Sequence, residues 1–169
     1  SRVIKWLKCF FFFLLDMAGW DLYGKLKRKQ LHELWGLDTA QAPITDFTIG
    51  IDSIETMVEK MNEMPWPIYK IKLGAANDIE MVAALRKNTD AMFRVDANAG
   101  WTLEEALHKI PLLKELGVEM VEQPLAKDDW EGMKTLFEKS TLPLFADEAC
   151  VGEADIVKCV NHFHGVNIK

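Results

Sequence analysis

The sequence predicts an α/β fold of parallel βα units, an incomplete (β/α) barrel of the TIM type preceded by a helix. Two series of residues carry that expectation. Lys72, Asp96, Glu122, Asp147 and Lys169 each end a short apolar run, with gaps of 24, 26, 25 and 22 residues. Asp52, Asn77, Thr102 and Asp128 recur in phase with them, 25, 25 and 26 residues apart, each with a glutamate three residues later. Each pair can form a capping box at a helix start. One strand and one returning helix fill such a repeat.

In chain order, residues 1–43 read as a helical lead-in. A helix is expected over 2–28, then a short one through Leu31, Leu34 and Trp35, stopped by Gly36. The apolar stretch Cys9 to Leu15 is too short to span a membrane. It is expected to lie in a buried helix. From Ile44 to Lys169 strands and helices alternate. The expected strands are 46–50, 68–73, 92–96, 118–122, 143–147 and 165–169, mostly brief apolar runs of the kind that form buried parallel sheets. A closed barrel needs eight strands. Six are readable, and the sequence stops on Lys169, so the chain is expected to be part of a longer barrel.

Composition narrows the function. The formal net charge is −6, which disfavours a nucleic-acid partner because phosphate binding needs concentrated basic surface. Residues 1–35 hold seven Lys/Arg against three Asp/Glu, and the remainder holds thirteen against twenty-three. The lead-in is therefore compositionally distinct. The three cysteines, Cys9, Cys150 and Cys159, are expected to be reduced thiols of a cytoplasmic protein. No membrane partner is expected. Cys159, His162 and His164 could be drawn as a zinc cluster, but surface histidines are the plainer reading. The tryptophans read as core packing.

The strand ends carry the chemistry. Period-two alternation puts Lys70 and Lys72 on one face of their strand and Ile71 on the other. Alone, such a pair is more often a solvated edge. Inside a barrel, two neighbouring ammonium groups should depress one pKa and supply a neutral base. Arg94, Asp96 and Asn98 share the inward face of the next strand. Glu122, Asp147 and Glu148 end the two after that. Three carboxylates on adjacent strands repel unless a cation sits among them, and an all-oxygen set suits Mg²⁺. Lys72 on the second strand and Lys169 on the sixth would face each other across the axis. A carboxylate substrate on the metal would then have a lysine on each face of its α-carbon, an arrangement suited to racemisation through an enediolate.

Lys70-Ile71-Lys72, the run Asp96 to Trp101, Glu122-Gln123-Pro124, Ala146-Asp147-Glu148 and Asn167-Ile168-Lys169 together resemble the enolase superfamily, in its muconate-lactonising-enzyme-like branch. The resemblance implies Mg²⁺ held by Asp96, Glu122 and Asp147, and acid/base lysines at Lys72 and Lys169. It implies an assisting Lys70, and supporting roles for Asn98 and Glu148. Thr45-Asp46-Phe47-Thr48, with Thr45 and Thr48 as substrate contacts, looks like the dipeptide epimerases of the L-Ala-D/L-Glu type. The small-molecule partner implied is a dipeptide or related carboxylate. Muconate-cycloisomerase and o-succinylbenzoate-synthase relatives share the core residues, so a lyase or cycloisomerase is the alternative. The branch's capping domain and last strands, with an Asp-x-Asp segment, have no counterpart in this sequence. A third expectation is an inactive partial barrel that needs a partner or forms a homo-oligomer through its open edges.

Overall fold

The computed structural model describes residues 2–168 and separates two compact units, residues 1–44 and 45–169. Lys169 lies outside the described residues.

The first unit is helix α1 (Arg2–Lys27) and the short α2 (Leu31–Leu34). Arg28, with φ of 52°, turns the chain between them. The Lys29 amide then donates to the Gly24 carbonyl at 3.1 Å. Trp20 meets Trp35 edge to face at 5.1 Å. The expected burial of the aromatic run is not found. Phe11, Phe12 and Phe13 are 60, 66 and 59% exposed. Within this unit, the four-residue α2 and the Trp35 after it meet α1 near Trp20 and Gly24, well past Phe13. No helix among the described residues is long and apolar enough to cross a membrane.

The second unit holds strands β1 (Phe47–Ile49), β2 (Ile68–Lys72), β3 (Met92–Asp96), β4 (Val118–Glu122), β5 (Leu144–Ala146) and β6 (Gly165–Val166). Between them run α3 (Ile54–Glu63), α4 (Asp78–Arg86), α5 (Leu103–Glu115), α6 (Trp130–Lys139) and the single turn α7 (Ile156–Cys159). The strands form one open sheet in sequence order, every neighbouring pair parallel. This is the expected partial barrel, with strand bounds close to those read from the sequence.

Alternation decides the two faces. Tyr69 and Ile71, Phe93 and Val95, and Leu144 and Ala146 are buried in one apolar core with Met57, Leu85, Ile110 and Leu136 of the helices. Each large side chain so buried contributes about 1.5–3 kcal/mol. The other face carries Lys70, Lys72, Arg94, Asp96, Met120 and Glu122.

The cap series is corrected in three places. Ser53, not Asp52, caps α3, its Oγ accepting the Thr56 amide at 3.2 Å. Asp52 instead accepts from the Ser53 amide and from Lys60. Asp129, not Asp128, caps α6 through the Gly132 amide at 3.0 Å. Thr102 and Glu105 form the expected reciprocal box on α5. Asn77 precedes α4 but makes no side-chain cap. With two eligible residues in tandem, the spacing cannot choose between them; the direction in which the chain enters the helix does.

Candidate functional site

Parallel pairing in register lines up the strand ends. Lys72 lies beside Asp96, and Asp96 beside Glu122. Lys72 Nζ is 2.6 Å from Asp96 Oδ2. Lys70 Nζ bridges two carboxylates, 2.9 Å from Asp96 Oδ2 and 2.7 Å from Glu122 Oε2. The side chains of Asp96 and Glu122 are 1 and 6% exposed, while those of Lys70 and Lys72 keep 20 and 30%. The carboxylates are thus sunk and the lysines face the open side.

At Lys70 the expected depression of a lysine pKa is not found. Burial pulls Lys70 down, but hydrogen bonds and charge from Glu122 and Asp96 outweigh it and hold its pKa above the ordinary lysine value. The expectation weighed only the two like charges on β2; Asp96 and Glu122, read from the sequence as metal ligands, contact Lys70 directly. Burial raises Asp96, yet Lys72, Lys70 and the Asn98 amide together hold it below the usual carboxylate range. Burial, aided by the Asp96 charge, keeps Glu122 above its usual value despite Lys70.

The loops beyond the strands add polar groups. Asn98 and Ala99 take positive φ, 45° and 60°. Such a conformation costs a non-glycine residue on the order of 1–3 kcal/mol. It turns the Asn98 amide onto Asp96 Oδ1 at 2.9 Å and the Ala99 amide onto the Gln123 carbonyl at 2.8 Å. Asn98 Nδ2 donates to Glu148 Oε1 at 3.3 Å, and Glu148 Oε2 is buried with no partner among the described residues. Asn167 Nδ2 donates to Asp147 Oδ1 at 3.3 Å. Thr48 pairs in register with Lys70. Thr45 stands before β1, at the opposite end of the sheet, where its carbonyl accepts from Trp66 Nε1 at 2.7 Å. The sheet therefore brings Lys70, Lys72, Asp96 and Glu122 into one cluster, with the Asn98–Glu148 pair and Asp147 on the adjoining loops.

Gln123 is a group that sequence reasoning missed. It is fully buried, and its Oε1 accepts from the amides of Asp147 and Ala149, both at 3.0 Å. It fixes the backbone that carries Asp147 and Glu148. The signal was a polar residue between a strand-end glutamate and Pro124. Arg94, read from the sequence only as an inward-facing residue of its strand, donates through Nε to Glu119 at 2.7 Å and reaches Asp46 at 3.5 Å. These three, with Lys70, Glu122 and His164, line a cavity of about 470 Å³ beneath the rim.

As for a metal, the donor set fits a hard cation: carboxylates from β3 and β4 and the β5 loop, with the Lys70 ammonium already standing as a cation between two of them. The buried, unpartnered Glu148 oxygen marks further uncompensated acceptor capacity at the same rim. The fit is one of donor chemistry. Among the described residues, no three His, Cys, Asp or Glu side chains close around one point. That holds for Cys159, His162 and His164 too. The His162 ring packs on Trp130, and the His164 ring lies against Phe137, accepting the Leu144 amide through Nδ1. Cys150 and Cys159 are free and buried, and burial next to Cys150 pushes the Cys159 thiol up to about 11.

Parallel βα units with cationic and anionic side chains massed at the strand ends define a barrel protein whose working rim is its C-terminal one. The chain belongs to the enolase C-terminal domain-like family, whose model matches residues 52–162. It is 57% identical over 155 residues to an L-Ala-D/L-amino acid epimerase of Flavobacterium johnsoniae, covering 92% of this chain and 46% of that protein. It is 40% identical to an L-Ala-D/L-Glu epimerase of Bacteroides thetaiotaomicron, covering 92% of this chain and 41% of that one. Among solved structures, an L-Ala-D/L-Glu epimerase matches with a TM-score of 0.75 at 30% identity, covering 91% of this chain and 49% of that one. The chain spans less than half the length of the curated relatives it matches.

Proposed function

We propose that this chain carries the proton-transfer half of a Mg²⁺-dependent epimerase acting on dipeptides of the L-Ala-D/L-Xaa type. The observation that carries the reading is the rim cluster, with Lys72 and Lys70 within 2.6–2.9 Å of Asp96 and Glu122. The identity to epimerases supports the reaction class. Lys72 takes the proton from the α-carbon next to the substrate carboxylate on one face, and Lys169 returns a proton on the other. Lys70 stays protonated and pairs with the substrate carboxylate. Asp96, Glu122 and Asp147 would hold the metal, with Asn98 and Glu148 orienting that end of the site and Thr48 facing the substrate from β1. Thr45, at the opposite end of the sheet with its carbonyl on Trp66, is left out of the proposed substrate contacts. Bound there, Mg²⁺ would neutralise the charge that builds on the substrate carboxylate as the proton leaves. Free, buried Cys150 and Cys159 support a cytoplasmic, reducing setting. The basic excess of residues 1–35 against the acidic remainder supports 1–43 and 44–169 as separate folding regions.

The test is solvent-deuterium exchange at the α-carbon in the full-length protein, across a dipeptide panel. Lys72→Ala and Lys169→Ala should each abolish exchange from one configuration only. Full exchange from both configurations in both variants would defeat the two-base reading. Product analysis against cyclic acids separates epimerisation from cycloisomerisation. A second reading has one favouring observation, the open edges at β1 and β6. The 169-residue chain by itself would then pair through those edges. A monomer by light scattering at high concentration would count against it.

A further inference from the structure

We infer that Asp78 is a positioning residue for Lys72 and Asp96, holding the loops after β2 and β3 in one fixed relation; the inference rests on the function proposed above. Asp78 opens α4 and is 0% exposed. Its two oxygens take four donors. Oδ1 accepts the amides of Gly74 at 3.0 Å and Ala75 at 2.9 Å. Oδ2 accepts Trp101 Nε1 at 2.7 Å and Lys109 Nζ at 2.8 Å. Gly74 and Ala75 belong to the turn two residues beyond Lys72. Trp101 belongs to the loop that leaves Asp96 and Asn98. Lys109, on α5, also donates to the Ala75 carbonyl at 3.2 Å and sits 5.1 Å from the Trp101 ring.

The first two donors tie Asp78 only to the turn just before its own helix. The last two reach across to the next βα unit and join its loop and helix to that turn. The backbones agree. A Cβ on Gly100 would lie 2.8 Å from the Ala97 carbonyl and 3.2 Å from Gly74 Cα, so the two loops run in direct contact. Gly74 has φ of 125°, open only to glycine. The Leu73 amide donates to the Asp96 carbonyl at 2.8 Å, the last rung of the ladder between the strands. The contact between proposed base and proposed ligand, 2.6 Å, lies directly upstream of this clamp. A loosened clamp would let the Lys72 and Asp96 ends drift independently. Groups that orient metal-site residues typically change affinity or activity 10–100-fold when removed.

The test uses the full-length protein with Trp101→Phe, which keeps a ring but removes one donor. Beside it goes the paired Asp78→Asn, Lys109→Met variant, which strands no buried charge. Melting curves establish that each is folded. Amide exchange over residues 73–78 and α-carbon exchange of a dipeptide are read on the same samples. The expected result is faster amide exchange at Gly74 and Ala75, remote in sequence from Trp101. With it, kcat should fall about tenfold or more while KM changes little. Unchanged amide exchange in a folded Trp101→Phe protein would overturn the clamp. So would loosened amides with unaltered kcat in an active protein. A wild type silent in substrate exchange would overturn both readings together, and that signature separates the two failures.

Discussion

Two buried ionic clusters lie a few residues apart in this molecule, and they are built on opposite plans. Around Asp78 every oxygen is matched, and the Asp78 and Lys109 side chains are 0 and 9% exposed. At the rim, Lys70 and Lys72 share Asp96, Glu122 keeps a raised pKa, and a Glu148 oxygen has no partner among the described residues. Full satisfaction suits a part that must not move. Imperfect satisfaction with open access suits a part that must take another molecule's charge.

The largest expected effect tests the rim. Lys72→Ala should lower epimerisation by roughly 10²–10⁴-fold, the range for a positioned acid/base group, with little change in melting temperature. A large loss of stability instead would make Lys72 a structural ion like Lys109. Next, Asp78→Ala should destabilise the fold by about 3–5 kcal/mol in urea unfolding, because it removes the carboxylate that pairs with the buried Lys109. A loss below about 1 kcal/mol would erase the contrast between the clusters.

Gly100→Ala sharpens the comparison at the backbone. Its methyl must displace the Ala97 carbonyl or Gly74, neither of which is a flexible side chain, for a cost of about 1–3 kcal/mol. Gly19→Ala, where a Cβ meets nothing within 4 Å, is its control and should be neutral or slightly stabilising. The smallest effect lies below the rim. Burial holds the His164 pKa below 6.5, and its Nδ1 must be unprotonated to accept the Leu144 amide. The folded protein thus disfavours the proton. Its contribution is present above pH 6.5 and fades as pH falls below it. The drop in melting temperature on acidification should be shallower in His164→Gln.

Much of the fold was legible because parallel βα units write their period into the chain. Strand ends and helix starts must recur together, and the runs ending in Lys72, Asp96 and Glu122 are strands that stop there. The candidate rim followed from the same period. What stayed hidden depends on partners remote in sequence. Neither Asp78 nor Lys109 stood out in the sequence, and Trp101 read as core. Only the packing of α5 beside α4 turns them into one cluster. Gln123 was visible within a motif but without a role, since the amides it holds lie 24 and 26 residues on.

The sequence by itself determined the parallel α/β order, the two faces of each strand and the residues that end on one rim, because periodicity and turn chemistry are local. The tertiary structure decided which charges touch. It gave Lys70 two carboxylates and thereby a raised pKa, where the isolated Lys-x-Lys pair implied a lowered one. It left Phe11 to Phe13 exposed, where hydrophobicity alone implied burial. Both outcomes depend on what the rest of the chain brings alongside, and no local pattern encodes that.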